Sequence, residues 1–341
     1  MRGERVVRQK ASMRYITLPD HQTRRLSFYL AMEEYAARRI AVADDMFFMW
    51  QVKPSVIFGR NQVIESEVNT AYCRAHGIEM YRRKSGGGCV YADMGNVMLS
   101  YITHDENVNF TFNRYINLIA LVLYRLGVEA KATGRNDILI NGKKVSGNAF
   151  YHIPGRSIVH GTMLFDTDMA HMTAAITPPA MKLESKGVKS VRQHIALLKD
   201  YLDISINEFQ TLVKQQLCDG EIVLDEAAVR EIETIEQAYL SEEFIYGRNP
   251  RYSVTRTGHI DGVGHFEVRA EVRGGRIAAL NLLGDYFQTG DIDTGLIKPL
   301  TGATFTPDGL RAVLPEDLND LILHLRREPL IDLLFNHSTP T

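Results

Sequence analysis

Cysteine is scarce in this chain of 341 residues, with three in all, Cys73, Cys89 and Cys218. They are far apart, odd in number and in no metal-ligand spacing. That excludes a disulfide framework or zinc cluster and fits a reducing compartment such as the cytoplasm. No apolar run reaches the length of a transmembrane helix. The opening MRGERVVRQKASMRY is basic but has no apolar signal core. Residues 1–12 are therefore expected to be a leader outside the fold, and the tail from His337 to be unstructured. There is no excess of charge either: 39 Lys and Arg against 41 Asp and Glu leave a formal net charge of -2. Nothing pulls the whole surface toward nucleic acid or a membrane, so any basic site is local. Internal repeats and low-complexity segments are also missing. What is present is ordinary, 45% hydrophobic and 23% charged residues, enough to bury a sizeable core over two domains.

The most unusual stretch is Tyr81–Asn96, YRRKSGGGCVYADMGN. Arg82 and Arg83 lead into Ser85 and then Gly86, Gly87 and Gly88. Glycines in a row let backbone N–H groups approach a ligand and take up positive φ. Such groups make a concave anion site, and arginines beside it add charge-assisted bonds to carboxylate or phosphate. The spacing is neither that of a Walker loop nor that of a dinucleotide fingerprint. On spacing alone, a glycine-rich hairpin turn with solvated arginines serves equally well.

Around this stretch the pattern alternates between strand and helix. Strands are expected at Met13–Pro19, at Met46–Phe58 (split by Pro54), at Ile78–Arg82, Cys89–Tyr91, Asn96–Thr103, Val128–Ala130, Asp137–Ile140, Lys144–Ser146 and Ser157–Phe165. Helices are expected at Arg24–Ala43, Glu67–His76, Thr111–Leu126, Asp168–Ile176, from the capping box Ser205-x-x-Glu208 to Leu217, and at Asp225–Leu240. Ser241–Pro250 reads as a linker. Strands at Tyr252–Thr257, Gly264–Arg273 and Arg276–Leu283 follow, then helices near Thr294–Leu300 and Glu316–Leu334. The expected organisation is an α/β domain over 13–240, a linker over 241–250 and a smaller α+β domain over 251–336.

A second constellation lies in GRNDILINGKKVSGNAF, residues 134–150. Asn141-Gly142 is a strong hairpin signal, and such a hairpin can set Asp137 and Lys144 side by side on facing strands. The pair reads either as a surface ion pair, worth under about 1 kcal/mol, or as a lysine aimed at an anion. His160-Gly161-Thr162 adds a small polar cluster on a strand.

Taken in order, RRKSGGGCVYADMGN, GRNDILINGKKVSGNAF, HGTMLF and LESKGVKSVR resemble the motifs of lipoate–protein ligases. FYLAMEEYAAR is similar to the family's first helix. The resemblance runs from about Met13 to the end and takes in an accessory C-terminal domain of the long bacterial type. It implies a mixed sheet with flanking helices of the biotin/lipoate-ligase type, related to class II aminoacyl-tRNA synthetase cores. It also implies a two-step reaction. Lipoate and ATP, with Mg²⁺, give lipoyl-AMP and pyrophosphate. A lysine of a lipoyl carrier domain then takes the acyl group, on a 2-oxoacid dehydrogenase E2 or glycine cleavage H protein.

The site residues follow from the same resemblance. Lys144 is expected to bridge the lipoyl carbonyl and the α-phosphate, where a compact ammonium suits a point between two anions. Arg83, Gly88, Cys89, Val90, Tyr91, Asn96, Asp137 and Lys186 are expected on the nucleotide side, with Asp137 the candidate for Mg²⁺ through phosphate. Arg82, Arg83, Ser85, Gly86, Gly87, Gly147, His160 and Thr162 are expected on the lipoyl side. The basic run Lys182–Arg192 is either a solvated face or a loop over the adenylate. Two positions depart from the family: Ala92 stands where Tyr-His-Asp would put histidine, and Cys89 stands where the family often has alanine. Two other readings compete. One is an octanoyl or lipoyl acyltransferase using a cysteine thioester, for which Cys89 is the sole cysteine in the motifs. The other is a non-catalytic lipoyl-domain-binding homologue, which the intact Arg83, Gly86–Gly88 and Lys144 oppose.

Overall fold

The computed structural model describes residues 12–335 apart from 61, 63, 105–107, 134–135, 177–193, 247–253 and 274. Strand β1 (Met13–Thr17) is followed by helix α1 (Leu26–Arg39), then by β2 (Asp45–Trp50) and β3 (Ser55–Phe58). Short helices α2 (Ile64–Glu67) and α3 (Thr70–Ala75) precede β4 (Glu79–Arg82), β5 (Val90–Ala92) and β6 (Asn96–Thr103). Helix α4 (Val108–Arg125) leads to β7 (Ala130–Ala132), β8 (Asp137–Ile140), β9 (Lys143–Ile153), β10 (Arg156–Leu164) and helix α5 (Met169–Ala175). Helix Ile206–Leu217, β11 (Gly220–Val223) and helix Glu226–Leu240 complete this part.

Eight strands form one mixed sheet in the order β11-β1-β2-β6-β10-β9-β8-β7, and β4-β3-β5 form a small sheet beside it. Strand period two sorts the side chains between two cores. Met46, Phe48 and Trp50 of β2 pack with α1 and helix Glu226–Leu240, while Phe47 packs with α4 on the other face. The central strands β6 and β10 are buried along their whole length. Buried strands demand partners for polar side chains, and Ser100, His160 and Thr162 all lie on the α1 face.

A second α+β unit follows. Its strands β12 (Val254–Ile260), β13 (Gly264–Arg273) and β14 (Arg276–Tyr286) form an antiparallel sheet. A core of its own joins that sheet to helices Pro307–Arg311 and Arg327–Phe335.

Turn and cap chemistry decided most boundaries. Asn141 and Gly142 have φ of 50° and 77°, the doubly left-handed turn that a two-residue hairpin needs. Ser205 and Glu208 make the full capping box, and Asp168 and Asp225 cap the helices after them. Three expectations change. Strand β9 runs on to Ile153 and pairs with β10, well past Ser146. Strand β11, not expected, pairs in parallel with β1. Glu316–Leu334 is not one helix: only Arg327–Phe335 is helical within it. Pro329 has no N–H and fits only a first helical turn. Upstream the chain turns through His324 at φ 63°, and Leu318 N–H bonds Leu325 O at 3.1 Å. Of the expected linker, Glu242–Tyr246 is a short helix. Residues 247–250, the leader over 1–11 and the tail from His337 lie outside the described residues.

Candidate active site

A cavity of about 610 Å³ opens between the α1 face of the sheet, the glycine loop, the β8–β9 hairpin and the end of β14. Leu30, Trp50, Ile57 and Met98 give it an apolar side. Arg83, Lys144, Asp137, Asn148 and His160 give it a polar one. An apolar slot with a few convergent polar groups suits an acyl chain with an acid at its end.

The glycine loop is held from inside by Arg83, which is 4% exposed. Its Nε donates to Ser85 Oγ at 3.0 Å, its Nη2 to Gly86 O and Gly88 O at 2.7 Å each, and its Nη1 to Ile57 O at 3.2 Å. Burial brings the guanidinium down to about 10, so it stays cationic at neutral pH. Gly87 takes φ 86°, a conformation open to glycine at no cost. Gly87, Gly88, Cys89 and Val90 then line the cavity.

A β-bulge sets the lysine in the wall of the same cavity. The register shifts between Ile138 and Leu139, so Asp137 pairs with Gly147 while Leu139 pairs with Lys144. The extra residue turns Lys144 and Gly147 to the same face, which regular alternation would forbid. Lys144 Nζ reaches Asp137 Oδ1 at 2.9 Å. A Cβ on Gly147 would lie 2.7 Å from Lys144 Cε and 2.9 Å from Nζ, so the lysine stem lies across the bare glycine. Lys144 O accepts from Ala196 N–H at 2.8 Å, and Ile176 lines the cavity. The chain thus leaves and returns beside the site on either side of residues 177–193.

His160, on β10, sits at the back of the cavity. Its Nε2 is 2.7 Å from Ser85 Oγ and its Nδ1 2.9 Å from Glu33 Oε2 of α1. Thr162 lines the wall, and its Oγ1 accepts from Gly147 N–H at 3.4 Å. Asn148 donates to Asn136 O at 3.0 Å and Ser146 Oγ at 3.1 Å.

Arg83, Gly87, Gly88, Cys89, Val90, Asp137, Lys144, Gly147, His160 and Thr162 therefore converge on one cavity. Ser85 and Gly86 stand behind it. Ser85 is buried against Arg83 and His160, and Gly86 is covered by Gln288 and Tyr286.

Three further expected residues do not reach it. Arg82 follows strand parity to the opposite side from Arg83. There it donates to Gly59 O, Arg60 O, Gln62 O and Ile245 O at 2.7–3.1 Å and covers the Phe58 ring. Tyr91 turns away from Val90 into the core with Val56, Phe58 and Cys73. Asn96 is fully buried; it donates to Tyr91 O at 2.9 Å and accepts from Thr167 Oγ1, bracing the Asp93–Gly95 turn. Lys186 and the basic run Lys182–Arg192 lie outside the described residues. Ala92 shares the face of Val90 and is packed into the core. Burial pushes the Cys89 thiol well above its ordinary range, which disfavours the thiolate a thioester needs.

Several cavity residues carried no motif. Trp50, the single tryptophan, reads in sequence as core. Glu67, Asp285, Tyr286 and Phe287 meet only in three dimensions, the last three coming from the second unit.

Residues 26–218 match the lipoyl protein ligase A/B catalytic domain, and residues 249–334 match the bacterial lipoate protein ligase C-terminus. The lipoate-protein ligase LplJ of Bacillus subtilis is 32% identical over 318 residues, 90% of this chain and 96% of that protein. Lipoate–protein ligase 1 of Staphylococcus aureus is 34% identical over 315 residues, 89% and 95% of the two chains. Among solved structures, P. falciparum LipL1 in complex with lipoate shares the fold at 21% identity, with a TM-score of 0.70 over 89% of this chain and 93% of that one. A structure from the archaeal lipoylation system of Thermoplasma acidophilum, described as a bi-partite lipoate protein ligase and its E2 lipoyl domain, matches at 26% identity and a TM-score of 0.63, covering 71% and 99%. With both halves matched in order and bacterial ligases aligned along nearly their whole length, the chain belongs to the lipoate–protein ligase family.

Proposed function

We propose that this enzyme activates lipoate with ATP to lipoyl-AMP and pyrophosphate, then passes the lipoyl group to a lysine of a lipoyl carrier domain in the cytoplasm. One observation carries the reading. Lys144 and the bare glycine loop line one and the same cavity, whose wall also includes the apolar side chains Leu30, Trp50, Ile57 and Met98. The acid and the polyphosphate repel, and an ammonium between them removes that repulsion. The same ammonium stabilises charge on the acyl carbonyl oxygen as each nucleophile adds. Asp137, 2.9 Å away, holds the lysine in place before substrates arrive. Arg83 keeps the loop N–H groups turned toward the phosphates, and Gly88, Cys89 and Val90 offer backbone to the adenylate. Leu30, Trp50, Ile57 and Met98 take the acyl chain, with His160 and Thr162 beside them.

Among the described residues no cluster of three or more His, Cys, Asp or Glu side chains could cage a metal. That fits Mg²⁺ arriving on the triphosphate, with Asp137 as a single carboxylate contact; the ion would supply charge neutralisation. Carriers of the E2 lipoyl-domain class, the partner of the archaeal relative, and glycine cleavage H protein are the acceptors. Residues 13–240 would form the catalytic domain and residues 251–336 an accessory domain joined by the linker 241–250.

The test is ATP–pyrophosphate exchange with lipoate, octanoate and biotin offered in turn. Lys144→Ala is expected to abolish exchange while its melting curve stays that of the parent chain. Undiminished lipoyl-AMP synthesis by that variant would remove Lys144 from its role.

A further inference from the structure

Behind the cavity lies a row of buried polar groups whose far members, Glu33 and Ser100, the reaction above does not use. Glu33 of α1 has no exposure to solvent. Its carboxylate takes Ser100 Oγ–H at 2.6 Å, Tyr151 O–H at 3.4 Å and His160 Nδ1 at 2.9 Å. Ser100 in turn accepts from Trp50 Nε1–H at 2.9 Å, and Trp50 lines the cavity. On the other side His160 Nε2 meets Ser85 Oγ at 2.7 Å, and Ser85 Oγ accepts from Arg83 Nε–H at 3.0 Å. The row has the connectivity of a carboxylate–histidine–serine triad. Its setting argues against a nucleophile: Ser85 is 1% exposed, does not line the cavity and already has a lone pair taken by Arg83.

With Glu33 ionised, one proton arrangement gives every donor in the row an acceptor. An ionised carboxylate only accepts and a guanidinium only donates. Glu33 at one end therefore requires the proton of His160 on Nδ1. Arg83 at the other end requires Ser85 to accept, and the serine's own proton then goes to His160 Nε2. Every bond between them runs one way. We propose that Glu33 is a positioning residue for acyl activation. It holds His160 as the neutral Nδ1–H tautomer, so that Ser85 stays oriented toward Arg83 and the Gly86–Gly88 loop keeps its shape. A glutamine at 33 would keep the volume and reverse one end of the row. Its amide N–H would face His160, whose proton would move to Nε2 and leave the Ser85 hydroxyl proton without its acceptor.

This rests on the ligase reading, and the experiment keeps the two separable. Histidine-selective ¹⁵N NMR on the full chain, with His160 assigned by its loss in His160→Gln, reads the proton without any assay. The expected result is the Nδ1–H tautomer in the parent chain and a switch to Nε2–H in Glu33→Gln. An imidazolium or an Nε2–H tautomer in the parent chain overturns the proposal, even if Glu33→Gln fails to fold. In pyrophosphate exchange, Glu33→Gln and Ser85→Ala are each expected to lower kcat/KM for the acid by about a hundredfold, the scale of an ångström-level misplacement. The double variant should lose no more than the worse single one. Losses that multiply, or labelling of Ser85 by a fluorophosphonate, would sink the proposal. A parent chain that exchanges no acid fails the ligase reading, while the tautomer still decides the role of Glu33.

Discussion

Arg83 shows how much one side chain does here. Its planar fork reaches Ser85 Oγ, Gly86 O, Gly88 O and Ile57 O together, and a lysine ammonium cannot span that set. Arg83→Lys should therefore lose loop shape rather than charge. The expected outcome is a loss of about 1.5–3 kcal/mol in denaturant unfolding, the scale of buried charged hydrogen bonds. KM should rise for both ATP and the acid. Arg82→Lys should cost stability through its lost carbonyl contacts and leave both KM values unchanged, because Arg82 faces away from the cavity. Equal KM effects from the two variants would contradict the assignment of faces. The sequence pointed to this arginine pair as functional, yet it held no means of telling the two apart. Neighbouring strand residues face opposite ways, and which way is the cavity depends on where β3 and β14 lie.

At the level of elements, the β8–β9 hairpin carries the lysine, and its bulge is the decisive detail. Gly147 is bare because Lys144 lies across it, with Cε 2.7 Å and Nζ 2.9 Å from where a Cβ would stand. Gly147→Ala would displace the flexible end of Lys144 and leave the backbone alone. Stability should change by no more than about 0.5 kcal/mol, while kcat for exchange falls and the ion pair with Asp137 breaks. A crystal structure of the variant with that pair intact, or unchanged kcat, would count against the bulge as the positioning device. The hairpin itself was legible, because Asn141-Gly142 states its turn in local chemistry. So was the capping box at Ser205, for the same reason. The bulge was not, since a register shift belongs to a pair of strands and leaves no mark on one. The sequence alone understates β9 because Lys144 and Gly147 face the cavity and Asn148 turns to buried polar partners, Asn136 O and Ser146 Oγ, which breaks the apolar alternation. Strand β11 is four residues of modest β propensity, held mainly by pairing with β1.

At the scale of the whole molecule, the second unit does more than follow the first. The end of β14 and the residues after it lie over the glycine loop. Asp285 Oδ1 and Oδ2 stand 3.6 Å from the Cβ position of Gly88, and Gln288 Cβ stands 3.1 Å from that of Gly86. Phe287 packs on Phe112 with ring centroids 4.5 Å apart, and Arg60 pairs with Asp293 across the same junction. A carboxylate thus occupies the neighbourhood where the proposed function puts polyphosphate. Burial, and then the charge of Asp285, also push the Glu67 carboxyl above its ordinary value. A carboxyl raised in the folded state adds stability at low pH and loses it as pH rises through that folded value. The docking of the two units should therefore loosen as pH climbs past the usual glutamate range. Asp285→Asn removes one negative charge from both problems. It should lower KM for ATP about threefold to tenfold, as expected for a like charge several ångströms from the phosphates at an intermediate effective dielectric. KM for the acid should stay the same, and the gain should shrink as salt is added. It should also flatten the loss of stability with rising pH. A higher KM for ATP in Asp285→Asn would mean instead that the second unit completes the nucleotide site, with Asp285 accepting a bond from the nucleotide or holding its cation.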